Sequence, residues 1–168
     1  MADCEKEVHE LDVMGELAND DELPVYDTSA SGLRALAGKK LGARYKAENK
    51  ESSTMSQGMV AAVHSSGTGV AFANATGTGL RAVGIAKESI TASTSGEIHT
   101  DGPLTMSDWT SVTGSTNLTA MGRYYLDTTD GKLTTTPPSS SGNLVQLVGV
   151  AVSPTTLDLQ IGRGIKKA

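Results

Sequence analysis

The residues able to do chemistry are few and scattered. The three histidines, His9, His64 and His99, stand far apart, and the single cysteine, Cys4, has no second thiol for a disulfide or a zinc site. Cys4 is flanked by carboxylates, a setting that disfavours the reactive thiolate. Gly77-Thr78-Gly79-Leu80-Arg81-Ala82 fits a relaxed dinucleotide fingerprint, with Glu97 at the spacing of the ribose-binding acid. That fingerprint needs a helix to open at the loop so that free amides meet a pyrophosphate, whereas Ala82 to Thr91 reads as a β-branched strand. His99-Thr100-Asp101 sets an imidazole near a carboxylate, yet no serine has the strained setting of a nucleophile. The acids from which a glycosidase pair would have to come, chiefly Glu88, Glu97, Asp101, Asp108, Asp127, Asp130 and Asp158, mostly adjoin Gly, Ser or Thr, where Asp caps local amides in turns. The expectation is no catalytic residue, no cofactor and no metal.

The elements that would position any site divide the chain at about residue 56. Before it lies an arm. Asp3, Glu5, Glu7, Glu10, Asp12, Glu16, Asp20, Asp21, Glu22 and Asp27 all precede the first arginine, opposed only by Lys6, so the net charge of −5 hides a strong asymmetry. Such a block repels phosphate backbones and anionic membranes, which are bound through Lys and Arg, and suits a basic protein surface. Within it Val8, Leu11, Met14 and Leu17 recur near helical spacing, weakened by Gly15 and stopped by Pro24. Ser31 to Asn49 is cationic, with Arg34, Lys39, Lys40, Arg44 and Lys46 among Leu33, Leu36, Leu41 and Tyr45, and reads as one or two helical turns broken at Gly38 and Gly42. Stacking aromatics other than Tyr45 are missing there, which argues against nucleic acid. Asn49 to Ser56 reads as a polar hinge. The opening residues do not form a charged-then-apolar leader, and no run approaches the roughly 18 apolar residues of a membrane span. A soluble, non-secreted protein without membrane insertion is expected, and the sequons at Asn74 and Asn117 are read as chance products of a Thr-rich chain.

From residue 57 to 168 the texture becomes short runs of Val, Ile, Ala and Thr broken by glycine, which is strand composition. Strands are expected at 59–64, 69–73, 80–87, 97–100, 123–127, 132–136, 145–152 and 157–161. Turns are expected between them, including Ser95-Gly96, Asp101-Gly102, Asp130-Gly131 and Ser153-Pro154. Even spacing predicts a mainly β, antiparallel sandwich or barrel-like knob rather than a βαβ sheet. An echo, Val83-Gly84-Ile85-Ala86 against Val148-Gly149-Val150-Ala151, suggests two strands packed at equivalent places. Core material is thin. With 4% aromatics, one Phe and one Trp against 19 Gly in 168 residues, burial against neighbouring copies would relieve the shortage, and an oligomer is expected.

The segments Gly122-Arg123-Tyr124-Tyr125-Leu126-Asp127, Gly131-Lys132-Leu133-Thr134-Thr135-Thr136-Pro137-Pro138 and Val145-Gln146-Leu147-Val148-Gly149-Val150-Ala151-Val152-Ser153 carry a likeness. Together with Thr156-Leu157-Asp158-Leu159, Gly102-Pro103-Leu104-Thr105 and Trp109, they resemble a β module of tail fibres, head fibres and capsid decoration proteins of tailed bacteriophages. The likeness spans about residues 57 to 161 and is most specific from Tyr124 to Ser153. It implies a small β knob that trimerises, with no cofactor and no catalytic residue to carry over. The expected knob core and trimer residues are Val83, Trp109, Tyr124, Tyr125, Val148 and Val150.

The resulting expectation is a virion structural protein on the capsid exterior, made in the host cytoplasm. As a decoration or cement protein it would bind the major capsid protein through its arm, using Val8, Leu11, Leu17, Leu23, Tyr26, Leu33 and Leu36 as anchors and Asp20, Asp21 and Glu22 as charges. The alternative is a host-recognition knob of a tail or head fibre, with a host-surface glycan as its partner.

Overall fold

The computed structural model describes residues 44–168. The described chain is mainly β, with two five-stranded antiparallel sheets formed one after the other. Sheet 1 holds β1 (Arg44–Glu48), β2 (Val60–Val63), β3 (Val70–Phe72), β4 (Gly84–Ala86) and β5 (Ser95–His99), in the order β1-β5-β4-β2-β3. Side chains alternate along these strands. Val60, Ala62 and Ile85 point to one side and join the large core shared with sheet 2. Ala61, Ala86 and Ile98 point to the other, where they meet Met55, Val70 and Ile90 in a second core. The sheet curls until its ends touch, because Asn49, just past β1, bridges Val70 of β3 and the Lys50 amide donates to the Val70 carbonyl at 2.9 Å.

Sheet 2 holds β6 (Asp101–Thr105), β7 (Arg123–Leu126), β8 (Leu133–Thr134), β10 (Leu147–Ala151) and β11 (Thr156–Gln160), in the order β6-β11-β10-β7-β8. Between β6 and β7 lies a one-turn helix, α1 (Thr110–Thr113), whose Val112 is buried. Two short strands, β9 (Leu144–Val145) and β12 (Ile165–Lys166), pair apart from both sheets. Leu104, Tyr124, Leu126, Leu157 and Leu159 fill the inner side of sheet 2, around the fully buried Trp109. Each large aliphatic so buried contributes about 1.5–3 kcal/mol.

The two sheets repeat one plan. In each, the first strand forms an edge, a hairpin follows on the far side, the next strand of the sheet takes the centre, and the last fills the gap. The registers match residue for residue. Ala61 opposes Gly84 as Tyr124 opposes Gly149, Val63 opposes Val70 as Leu126 opposes Leu133, and Tyr45 opposes Ile98 as Leu104 opposes Leu157. Connecting bonds match as well. Gly58 donates its amide to Ala86 at 2.8 Å as Met121 does to Ala151 at 2.7 Å, and Ala86 donates to Met59 as Ala151 does to Gly122, each at 2.9 Å. Residues 44–99 and 101–160 are thus two copies of a five-stranded unit, and the echoed tetrapeptides occupy the central strands of both.

Some expectations move. Arg44–Glu48 is a strand rather than helical turns, since Tyr45 and Ala47 alternate with Arg44, Lys46 and Glu48 and pair with Ile98 and Gly96. The folded region therefore reaches back past the boundary set at residue 56. In the expected hinge, Asn49 and Met55 are completely buried, and Met55 exchanges two amide hydrogen bonds with Ile90 at 2.9 and 2.8 Å. Ser95-Gly96 lies inside β5 because the chain has already turned at Thr91–Thr94, and Asp101-Gly102 opens β6 rather than a turn.

Candidate interaction surfaces

The expected core residues separate by depth. Trp109, Tyr124 and Val148 are buried, whereas Val83, Tyr125 and Val150 are half-buried. The indole Nε1 of Trp109 donates to the Thr155 carbonyl at 3.1 Å, and the Tyr124 hydroxyl accepts the Thr119 amide at 2.8 Å. Both polar tips are thus spent on loops that close the core. Tyr125 alternates with Tyr124 and lies on the outer face of sheet 2 with Arg123 and Val150. The arm residues Val8, Leu11, Leu17, Asp20, Asp21, Glu22, Leu23, Tyr26, Leu33 and Leu36 lie outside the described residues.

Two buried amides, to which composition gave no role, hold the fold. Asn49 donates from Nδ2 to Ser53 and to Ile90, each at 2.9 Å, and accepts the Glu51 amide at 3.0 Å. Gln146 accepts the Ala82 amide at 2.9 Å and donates to the carbonyls of Ala82 and Gly162, each at 3.0 Å. Through Ala82 it joins the first repeat to the second. The only signal for either was an amide side chain next to apolar strand residues.

The polar groups elsewhere form local networks. Glu97 accepts Lys87 at 3.0 Å and Arg44 at 3.3 Å. Its carboxyl lies below the usual range, first through the Lys87 hydrogen bond and then through the charges of Lys87 and Arg44. Arg44, Tyr45, Lys46 and Glu97 line a shallow concavity of about 290 Å³. His99, paired across the sheet with Arg44 and Ile85, is 5% exposed, and among the described residues neither ring nitrogen has a side-chain or backbone partner in full hydrogen-bond geometry. Burial holds its imidazole below the ordinary histidine range, offset in part by the nearby Asp101 backbone. Gly77-Thr78-Gly79 is followed by β4 and not by a helix, and Gly79 packs on Asn74, where a Cβ would stand 2.0 Å from Oδ1. Among the described residues no group of three or more His, Cys, Asp or Glu is arranged to hold a metal ion, and no helix is long and apolar enough to cross a membrane.

What remains on the outside is apolar in places. Met121 is 80% exposed, Val152 56% and Val63 49%. Met121 and Val152 are neighbours, because Met121 donates its amide to Ala151 and Ala151 donates back to Gly122 at 2.9 Å. No protein-family model matches the chain, and no curated protein matches it.

Proposed function

We propose that the chain is a virion structural protein, a decoration or cement protein of a tailed-phage head. The described β unit is its knob, and the acidic arm holds it to the major capsid protein. The observation that carries this reading is the likeness of Tyr124–Ser153 to the β module of phage fibres and decoration proteins. Two features support it. Two of the buried polar side chains, Asn49 and Gln146, with the tips of Trp109 and Tyr124, are spent on internal hydrogen bonds, which leaves sheet faces and loops as the means of recognition. The acidic arm, with its apolar anchors, suits an extended segment that orders on a basic protein surface. Cementing then follows from mass action, since a ligand that binds only the assembled shell stabilises that shell.

The number of copies per particle tests the proposal. A decoration protein is expected at scores to hundreds of copies in purified particles, counted by quantitative mass spectrometry against the major capsid protein. A few copies, with loss of host adsorption on their removal, would sink the proposal in favour of a glycan-binding fibre tip.

A further inference from the structure

The contact between the two repeats has a direction. The outer face of sheet 1 receives the hairpin end of sheet 2. Val60 and Ala62 on that face are fully buried, and the turn residue Gly131 lodges between the strands, accepting the Val60 amide at 2.9 Å and donating to Ala73 at 2.8 Å. Gly58 beside them lies against Met106 and Val112 of the second repeat, so close that a Cβ would stand 2.8 Å from either side chain. Leu126, at the end of β7, is completely buried in the shared core.

The matching positions on the other side of each repeat are open. By register, Val60 corresponds to Arg123, Ala62 to Tyr125, Ile85 to Val150 and Gly58 to Met121. Arg123 and Met121 are exposed, Tyr125 and Val150 are half-buried, and the adjacent Val152 is exposed. Among the described residues no turn lodges between Arg123 and Thr136 as Gly131 does between Val60 and Ala73. Conversely Val63, which corresponds to the buried Leu126, is 49% exposed at the end of its own hairpin. The first repeat therefore has a covered face and an unused hairpin end, and the second has a used hairpin end and an uncovered face.

We infer that copies of this chain associate head to tail, the outer face of sheet 2 in one copy receiving the β2–β3 turn of the next. The occupant is a second copy because the missing half of the contact is already present in this chain. The β2–β3 turn has the same length and closing bond as the one that fills the intrachain site. His64 donates its amide to Gly69 where Asp127 donates to Lys132, which puts Thr68 in the place of Gly131. Met121, Tyr125, Val150 and Val152 supply the apolar centre, and Arg123 and Asp158 flank it in register with Val150. A contact between unlike surfaces leaves one of each free at every step, so the assembly closes as a ring or continues as a filament. The inference stands apart from the capsid reading.

The test uses the full chain and two exposed-site variants, Met121→Asp/Val152→Asp on the face and Val63→Asp on the hairpin. In sedimentation velocity the wild type is expected to be oligomeric, and each variant a folded monomer with unchanged far-ultraviolet circular dichroism. An equimolar mixture of the two variants is expected to give a species of two chains and none larger, because each such pair retains a single working contact. A monomeric wild type overturns the inference, as does a variant that still assembles alone. A mixture that stays monomeric overturns it too, and loss of particle attachment in place of assembly would assign the face to the capsid.

Discussion

Replacing Gln146 by Leu tests how the two repeats are joined. Leucine keeps the volume and the apolar contacts of a side chain that is only 3% exposed, and removes its amide. The loss strands the Ala82 N–H and C=O, which are 4% exposed and have their hydrogen bonds to Gln146, and removes a donor from the Gly162 carbonyl. A buried backbone group left unpaired costs about 1–3 kcal/mol. Two such groups, offset by the gain from burying a more apolar side chain, give a destabilisation of about 3 kcal/mol. Urea unfolding followed by Trp109 fluorescence measures it, as a lower midpoint at unchanged slope. A loss under about 1 kcal/mol would mean that Ala82 finds other partners and that Gln146 does not bridge the repeats.

Three further outcomes are expected. Lowering the pH from 7.5 to 5 should destabilise the fold through His99, because its folded pKa is depressed: the neutral ring's stability is complete above the unfolded value of about 6.5 and is lost as pH falls from there towards the folded value. His99→Phe should flatten that part of the denaturation midpoint profile, and an unchanged profile would show that the ring is hydrated. Gly84→Ala and Gly149→Ala should each cost about 1–3 kcal/mol in thermal unfolding, since the new Cβ would meet Ile98 Cγ2 at 2.3 Å and the Asp158 carbonyl at 2.6 Å respectively; a neutral result at either site breaks the equivalence of the central strands. In binding to particles, Leu11→Ser/Leu17→Ser should release the protein more completely than neutralising Asp20, Asp21 and Glu22, because a buried Leu contributes about 1.5–3 kcal/mol and an exposed ion pair about 0.2–1, screened by salt. The opposite order would make the arm an electrostatic tether.

The strands were legible where alternation coincided with β-branched composition. Val60–Val63, Val70–Phe72, Arg123–Leu126 and Thr156–Gln160 fall within a residue of the expected runs. Elsewhere the local signals conflicted. In Arg44–Glu48 the cations suggested a solvated helical face, although Tyr45 and Ala47 pointed to period two. In Asp101–Thr105 the words Asp-Gly and Gly-Pro mark turns, and only pairing with β11 makes that segment a strand. Pro103 is tolerated there because β6 is an edge, where a missing amide donor need not break a ladder. The buried roles of Asn49, Met55 and Gln146 were hidden for another reason: each depends on partners far away in the sequence, at Ile90 and Ala82.

The duplication was nearly invisible for a physical reason that also bears on assembly. Positions constrained by the backbone are alike in both repeats: Gly84 and Gly149 each face a neighbouring strand too closely for a side chain, and Gly58 and Met121 both have positive φ, at +85° and +62°. Positions constrained by burial have diverged, because the same face is covered in one repeat and open in the other. Val60 and Ala62 are small and apolar where the second repeat presses on them, whereas Arg123 and Tyr125 are large and partly wetted. Met121 is the exception that points to function. An L side chain in the left-handed region costs about 1–2 kcal/mol, which glycine at Gly58 avoids, and leaving that side chain 80% exposed recovers nothing within one chain. In the head-to-tail assembly inferred above, burial of Met121 against a neighbouring copy would offset that cost. By this reasoning Met121→Gly should leave the dissociated chain within about 1 kcal/mol of wild type while weakening its assembly, whereas Gly58→Ala, pressed at 2.8 Å against Met106 and Val112, should destabilise the chain itself.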